Sequence, residues 1–220
     1  MSRNKDSALH KKFFAYRKEN PLELSPQQLE KIELDILKPR TGIVSDEYVE
    51  FILWTKGFKS RQEYFSNCVD LLFPLSRSGK LLEVGCGRTA RLSRLLAQKG
   101  YQMTAIDPQI IPHYIQNTGI NCIQDAFVHG QTDLSPYDGV IAQEPCEATE
   151  HIIRACVARK KPYFISLCGV PHRLINGEMP EDVFAWYDYL QEIGSPNCVL
   201  VNLEIVPGYK SYVIMGFFSA

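Results

Sequence analysis

The sequence has no apolar run approaching the roughly 18 residues that read as a membrane-crossing helix. Its first residues are polar and charged and lead into no apolar core segment, so neither membrane insertion nor secretion is signalled. It has no Cys-x-x-Cys pair. Cys68, Cys86, Cys122, Cys146, Cys156, Cys168 and Cys198 are odd in number and widely spaced, which argues against a disulfide scaffold or a structural zinc site and for reduced thiols in a cytoplasmic protein with no bound metal. Net charge is almost absent, at -1, so no global field attracts a polyanion and any nucleic-acid contact must come from a local basic patch. Internal repeats, low-complexity tracts and an obvious catalytic triad are also missing.

What is present is an ordinary globular composition: 220 residues, 45% hydrophobic and 22% charged, enough for one substantial core that buries about two-thirds of the unfolded surface. Two regimes divide it. Residues 1–78 read as helical, a cap or N-terminal extension, and residues 79–220 as an α/β domain. In the first regime an amphipathic segment lies near 9–16. A clearer start is Ser25-Pro26-Gln27-Gln28, where Ser25 caps, Pro26 suits the first turn and Gln28 closes a capping box. Pro39 and Gly42 stop that run. Further helices begin at Ser45-Asp46-Glu47, ending at Gly57, and near Ser60, ending at Pro74. Each is too short to stand alone in water, so their apolar faces must pack.

From Lys80 short strands and helices alternate. Strands are expected at 80–84, 102–106, 120–123, 139–142 and 162–167, with helices near 89–98, 108–117, 145–157 and 180–193 and an ill-defined crossover at 126–136. Alternation of this kind predicts a mostly parallel sheet covered by helices on both faces. The last two extended runs, 198–206 and 210–218, are separated only by Pro207-Gly208-Tyr209, which suits an antiparallel hairpin.

The central signal is Leu81-Leu82-Glu83-Val84-Gly85-Cys86-Gly87-Arg88-Thr89-Ala90. An apolar strand enters a turn whose glycines allow tight curvature and close approach of a ligand, and the following helix aims free N–H groups at the same space. Asp107, in Ile106-Asp107-Pro108, ends the second strand about 20 residues on, where a carboxylate accepts hydrogen bonds from ribose hydroxyls. Gly85, Gly87 and Ala90 also satisfy the G-x-G-x-x-A fingerprint of an NAD-dependent oxidoreductase. Glu83 weighs against NAD, because fixed negative charge near the crevice opposes a pyrophosphate and favours a cationic ligand. The bland alternative is a sharp turn with Asp107 capping the next helix.

The run Glu83-Val84-Gly85-Cys86-Gly87-Arg88-Thr89 resembles the acid-x-G-x-G-x-G first motif of the class I S-adenosylmethionine-dependent methyltransferases, with Thr89 in place of the third glycine. The resemblance covers about residues 80–218 and includes a poorly characterised methyltransferase-like branch through Glu144-Pro145-Cys146-Glu147-Ala148-Thr149-Glu150. It implies a Rossmann-like seven-stranded sheet with a C-terminal antiparallel hairpin, and S-adenosyl-L-methionine as cofactor. It assigns Glu83 to the methionine end, Gly85, Cys86 and Gly87 to the cofactor turn, Asp107 and Pro108 to the ribose, and Asp125 and Ala126 to the adenine.

Methyl transfer needs an electron-rich atom held in line behind the methyl carbon, and a base only where that atom starts protonated. Two residues are candidates for that work. Glu144 follows the fourth strand at the crevice, where it can orient a donor group or take its proton, and His172 follows the fifth in a loop that bends at Gly169. Glu147 and His151, four apart, share a helix face and are expected to stabilise it. Cys146, Cys168 and His172 lack the spacing of a zinc site. Arg88, Arg91, Arg94 and the basic cluster from Arg154 to Arg173 leave an RNA acceptor open beside a small molecule. No protein partner is indicated. A third reading is a catalytically silent cofactor-binding or interaction protein, because Thr89 narrows the turn and no familiar acceptor motif follows the fourth strand.

Overall fold

The structure, a computed structural model, describes residues 6–19, 25–37, 45–73, 75–169, 174–175, 180–203 and 211–218. The chain forms two compact units, Met1–Tyr64 with Leu203–Ser211, and Phe65–Asn202 with Tyr212–Ala220. Phe65 and Phe73 both pack on Phe164 within the second unit, with ring centroids 5.3 and 5.8 Å away.

The first unit holds helices α1 (Asp6–Glu19), α2 (Pro26–Leu37) and α3 (Asp46–Thr55). The capping box forms as read: the Gln28 N–H donates to Ser25 Oγ at 3.3 Å, and the Ser25 N–H donates to Gln28 Oε1 at 2.8 Å. Ser45 caps α3 by accepting the Tyr48 N–H. Phe13 and Tyr16 of α1, Ile32 and Ile36 of α2 and Tyr48, Val49, Phe51 and Leu53 of α3 make one buried cluster. Each such side chain contributes about 1.5–3 kcal/mol that the isolated helix lacks. The stop expected at Pro39 and Gly42 lies outside the described residues. Helix α4 (Arg61–Leu72) follows Ser60, whose Oγ accepts the Glu63 N–H.

The second unit is built on a seven-stranded sheet: β1 (Lys80–Val84), β2 (Gln102–Ile106), β3 (Asn121–Ile123), β4 (Gly139–Gln143), β5 (Tyr163–Ser166), β6 (Cys198–Asn202) and β7 (Tyr212–Gly216). Their order is β3-β2-β1-β4-β5-β7-β6. The first five are mutually parallel, while β7 runs antiparallel between β5 and β6. The Rossmann-like sheet and the closing hairpin are therefore as the sequence suggests; the hairpin's Pro207-Gly208-Tyr209 turn lies outside the described residues. The crossovers carry α5 (Arg91–Gln98), α6 (Ala148–Arg159) and α7 (Val183–Gly194). Alternation along the strands sorts the two faces. Leu82, Val84, Val140, Ala142, Tyr163 and Ile165 join a cluster with Ile152 and Cys156 of α6 and Trp186 and Leu190 of α7, leaving Glu83 on the opposite face.

Two expected helices are corrected. The segment 108–117 forms only a 3-10 turn, Pro112–Ile115. Pro112 has no N–H to give a longer helix, and Ile111 instead donates its N–H to Arg88 O at 2.9 Å. The helix expected from 145 begins at Ala148, because Cys146 adopts φ +46°, a left-handed conformation that a right-handed helix cannot continue through.

Gly194 and Gly216 make room for the buried ring of Tyr163. A Cβ at Gly216 would lie 2.0 Å from Tyr163 Cε1, and one at Gly194 2.6 Å from its hydroxyl. Gly216→Ala is therefore expected to lower unfolding free energy by about 1–3 kcal/mol or more, read from urea denaturation midpoints; an unchanged midpoint would mean that the ring is not held there.

Candidate functional site

Strands β1 and β2 pair in parallel with Val84 opposite Ile106, so the residues that follow, Gly85 and Asp107, leave the sheet side by side. The Gly85 N–H donates to Ile106 O at 3.0 Å. Gly85 has φ +69°, and a Cβ on it would lie 3.2 Å from both Cα and Cβ of Pro145; the left-handed conformation favours glycine, and any side chain would also press on Pro145. Gly87 differs. Its φ is +63°, but a Cβ on it would meet no atom within 4 Å, so its bare side faces open space.

Asp107 closes the turn. Its Oδ2 accepts the Gly87 N–H at 2.9 Å and its Oδ1 accepts the Gln109 N–H at 2.7 Å. The structure thus brings Gly85, Cys86, Gly87, Asp107 and the exposed Pro108 together at the carboxyl ends of β1 and β2. The capping role is real, yet a carboxylate has about four lone-pair sites, and these two bonds leave capacity for a diol.

Glu83 is 3% exposed. Its carboxyl accepts the Ser93 N–H at 2.8 Å and a short hydrogen bond from the Ser93 hydroxyl, so it serves the first turn of α5, whose N-cap Ala90 offers no side-chain cap. Burial pushes its pKa up to about 7, against the Ser93 hydrogen bonds that favour the charge. A group so placed is part-protonated near neutrality, which weakens the argument that its fixed charge repels a pyrophosphate. Burial, with Glu83 and Asp107 nearby, also raises the Cys86 thiol and keeps it protonated.

Asp125 and Ala126 are exposed just past β3, the strand beside β2, and Asp125 Oδ1 accepts the Ala126 N–H at 2.7 Å. Glu144 is exposed past β4, with φ +53° and its N–H donated to Ser166 O at 2.9 Å. His172 lies outside the described residues. His151 Nδ1 accepts the His129 N–H at 3.2 Å, and burial lowers its pKa, so the ring is neutral and occupied. Sequence reasoning missed Ser93 as the partner of Glu83. It also missed Glu150, which accepts the Tyr189 hydroxyl at 2.5 Å, Arg154 Nε at 2.8 Å and the Ile175 N–H at 2.7 Å. Burial opposes the Glu150 charge, but these bonds outweigh it and hold the carboxyl below its ordinary range. The only sequence signal for that group was the four-residue spacing of Glu150 and Arg154.

No family model matches the sequence, and no curated protein matches it. Solved structures do match by shape. A chain of the Haloferax volcanii complex between the Trm112 methyltransferase activator and a methyltransferase superposes with a TM-score of 0.51 at 13% identity, over 80% of this chain and 97% of that one. The chain has the class I S-adenosylmethionine-dependent methyltransferase-like fold. The TehB-like methyltransferase of Corynebacterium glutamicum (TM-score 0.48, 16% identity, 76% of this chain and 92% of that one) and the 1,6-didemethyltoxoflavin-N1-methyltransferase of Burkholderia thailandensis (0.48, 14%, 80% and 91%) are similar at a lower level. The methyltransferase-like sheet differs from the six-stranded dinucleotide-binding order 3-2-1-4-5-6 by the antiparallel β7 set between β5 and β6.

The buried carboxyl of Glu83 makes the stability of this methyltransferase-like fold depend on pH. Between the ordinary 4.5 and the folded value of about 7, the native chain holds a proton that the unfolded chain has released. Stability therefore falls as pH rises through that window and levels off above it, by on the order of 3 kcal/mol at about 1.4 kcal/mol per unit. Glu83→Gln keeps an acceptor for the Ser93 amide and cannot ionise. In urea unfolding at graded pH, the stability of the variant minus that of the wild type is expected to rise across the window and then stay constant; a flat difference would show an ordinary carboxylate.

Proposed function

We propose that this protein is an S-adenosylmethionine-dependent methyltransferase acting on a small molecule or an RNA. The observation that carries the reading is the joint between Gly87 and Asp107, 2.9 Å apart at the ends of adjacent strands, in a sheet whose strand order is that of the methyltransferase-like fold. The open side of Gly87 suits close approach of the donor. In this reading the unused lone pairs of Asp107 take the ribose hydroxyls, with Pro108 beside them. Asp125 takes the adenine amino group, with Ala126 against the ring. Gly85 and Cys86 shape the turn, and Glu83 supports the methionine end indirectly, by fixing the start of α5 through Ser93.

Bound there, S-adenosylmethionine supplies a methyl carbon activated by its positively charged sulfur. The protein's part is to hold the acceptor atom in line and keep water away, which accounts for much of the rate in such transfers. Glu144, on the loop after β4, is the proposed group that orients the acceptor and takes its proton where one must leave. His172 is the second candidate for that step. The proposed setting is the cytoplasm, supported by seven cysteines that are all free thiols; among the described residues no helix is long and apolar enough to cross a membrane.

The NAD-dependent reading keeps Gly85, Gly87, Ala90 and Asp107, but the antiparallel β7 speaks against it. A silent cofactor-binding protein is favoured by Thr89 and by the lack of a familiar acceptor motif after the fourth strand, and is separated by activity. Calorimetric titration is expected to show binding of S-adenosylmethionine and none of NAD, with the reverse result overturning the assignment. Asp107→Ala is expected to weaken donor binding at least about tenfold, the loss of one or more hydrogen bonds to a charged group. Gly87→Val should do likewise by filling the open side. Donor binding without methyl transfer to RNA or metabolite fractions would leave the silent reading.

A further inference from the structure

Two thiols meet on the acceptor side of the crevice. Strands β4 and β5 pair in parallel with Gln143 opposite Ser166, so the loops that carry Cys146 and Cys168 leave the sheet at the same edge, next to each other. Their Sγ atoms are 3.5 Å apart, about 1.5 Å more than the roughly 2.05 Å of a covalent disulfide. Cys146 is exposed and Cys168 half-buried. The approach is built by the backbone. Glu144 and Cys146 flank Pro145 at φ +53° and +46°, a conformation that costs an L-residue about 1–2 kcal/mol, and Cys146 Sγ reaches back to Glu144 O at 3.5 Å. On the other side Tyr187 donates its hydroxyl to Cys168 O at 3.5 Å. Gly169 follows in the chain, and a Cβ on it would meet no atom within 4 Å.

Neither thiol has an evident place in methyl transfer, and among the described residues no group of three metal-ligating side chains includes them. A close pair of which one member is exposed is instead the arrangement on which thiol–disulfide exchange acts, and disulfides of reducing compartments are transient and redox-responsive.

We propose that Cys146 and Cys168 form a redox-active dithiol that closes into an intramolecular disulfide on reaction with a low-molecular-weight disulfide such as oxidised glutathione. The exposed Cys146, as its thiolate, attacks one sulfur of the small disulfide; a mixed disulfide forms and the first small thiolate leaves. Cys168 then gives up its proton to water and attacks Cys146 Sγ, forming the internal S–S bond and releasing the second small thiolate. Two protein thiols lose two electrons and two protons, and the small disulfide becomes two thiols. The order follows from exposure, and burial beside Cys146 pushes the Cys168 thiol up to about 12, which makes it the second, resolving sulfur. The chemistry itself needs no methyl donor. Its consequence for activity rests on the proposed function: the bond would tie the β4 loop carrying Glu144 to the β5 loop, leaving the Gly87 and Asp107 joint untouched.

The test uses the full-length, fully reduced protein equilibrated in glutathione buffers from reducing to oxidising, quenched with a maleimide and mapped by peptide mass spectrometry. The expected result is loss of two hydrogens joined as a Cys146–Cys168 peptide, with labelling of both residues lowered at least about tenfold and restored by a reductant. Cys168→Ser is expected to stop at a glutathione adduct on Cys146, and Cys146→Ser to give no adduct on Cys168. Labelling that does not change across the buffers, a wild-type adduct that never resolves, or linkage between other cysteines would overturn the proposal. The wild-type map needs no variant to fold. It also reads separately from donor titration, so failure of the methyltransferase reading would leave it intact.

Discussion

The carboxylate of Asp107 ties the glycine turn to the end of the neighbouring strand. Parallel pairing sets Val84 beside Ile106, and the Gly85 N–H bond to Ile106 O carries the pairing one residue further. Beyond that point one oxygen of Asp107 holds the Gly87 N–H across the gap while the other holds the Gln109 N–H of its own turn, and hydrogen bonds to a charged acceptor are worth about 1.5–3 kcal/mol each. In the proposed function the same atoms that fix the turn would take the ribose hydroxyls. Structural and proposed binding roles would then be one arrangement, because a carboxylate already held by two backbone donors loses little freedom when a diol arrives.

A second constraint is the period of two along β1. Leu82 and Val84 belong to the core against α6 and α7, so Glu83 must face the other way, where α5 buries it. An ionised carboxyl so enclosed is expensive unless it is bonded or protonated, and Glu83 is both bonded to Ser93 and raised to about 7. The first turn of α5 has a matching need, because its N-cap is Ala90 in a left-handed conformation with no side-chain acceptor to offer. An acid in the strand thus supplies what a Ser or Asp at the cap would ordinarily supply.

Features carried by near neighbours were legible before any coordinates. The Ser25 and Gln28 box, the bounds of β1 and β2 and the β6–β7 hairpin all depend on contacts within one turn or one strand. The segment 108–117 was not, since its apolar spacing suited a helix while Pro112 and the Ile111 bond to Arg88 decided against one. The late start of α6 has the same origin, a left-handed Cys146 that no periodicity reveals. The Gly85, Gly87 and Asp107 cluster could be read from spacing, because strand length and a short helix fix where the second strand ends. Ser93 as the mate of Glu83, and the meeting of Cys146 with Cys168, depend on which side chains two elements turn toward each other, and single-sequence patterns are blind to that.

Strain locates the mutual dependence of the two sides of the crevice. Five non-glycine residues among those described have positive φ: Ala90, Asn117, Glu144, Cys146 and Lys160. Lys160 stops α6 and Asn117 is of a type that tolerates the conformation. The other three are Ala90 after β1 and the pair about Pro145 after β4, and backbone strain of this kind persists only where packing over-determines it. One such contact is between Gly85 and Pro145, which stands 3.2 Å from where a Cβ on Gly85 would be. The bare glycine leaves room for Pro145, whose two neighbours are the left-handed pair. The loop that holds the glycine turn and the loop that holds Glu144 and Cys146 therefore meet at Gly85 and Pro145, and the close approach there links the left-handed backbone on one side to the left-handed backbone on the other.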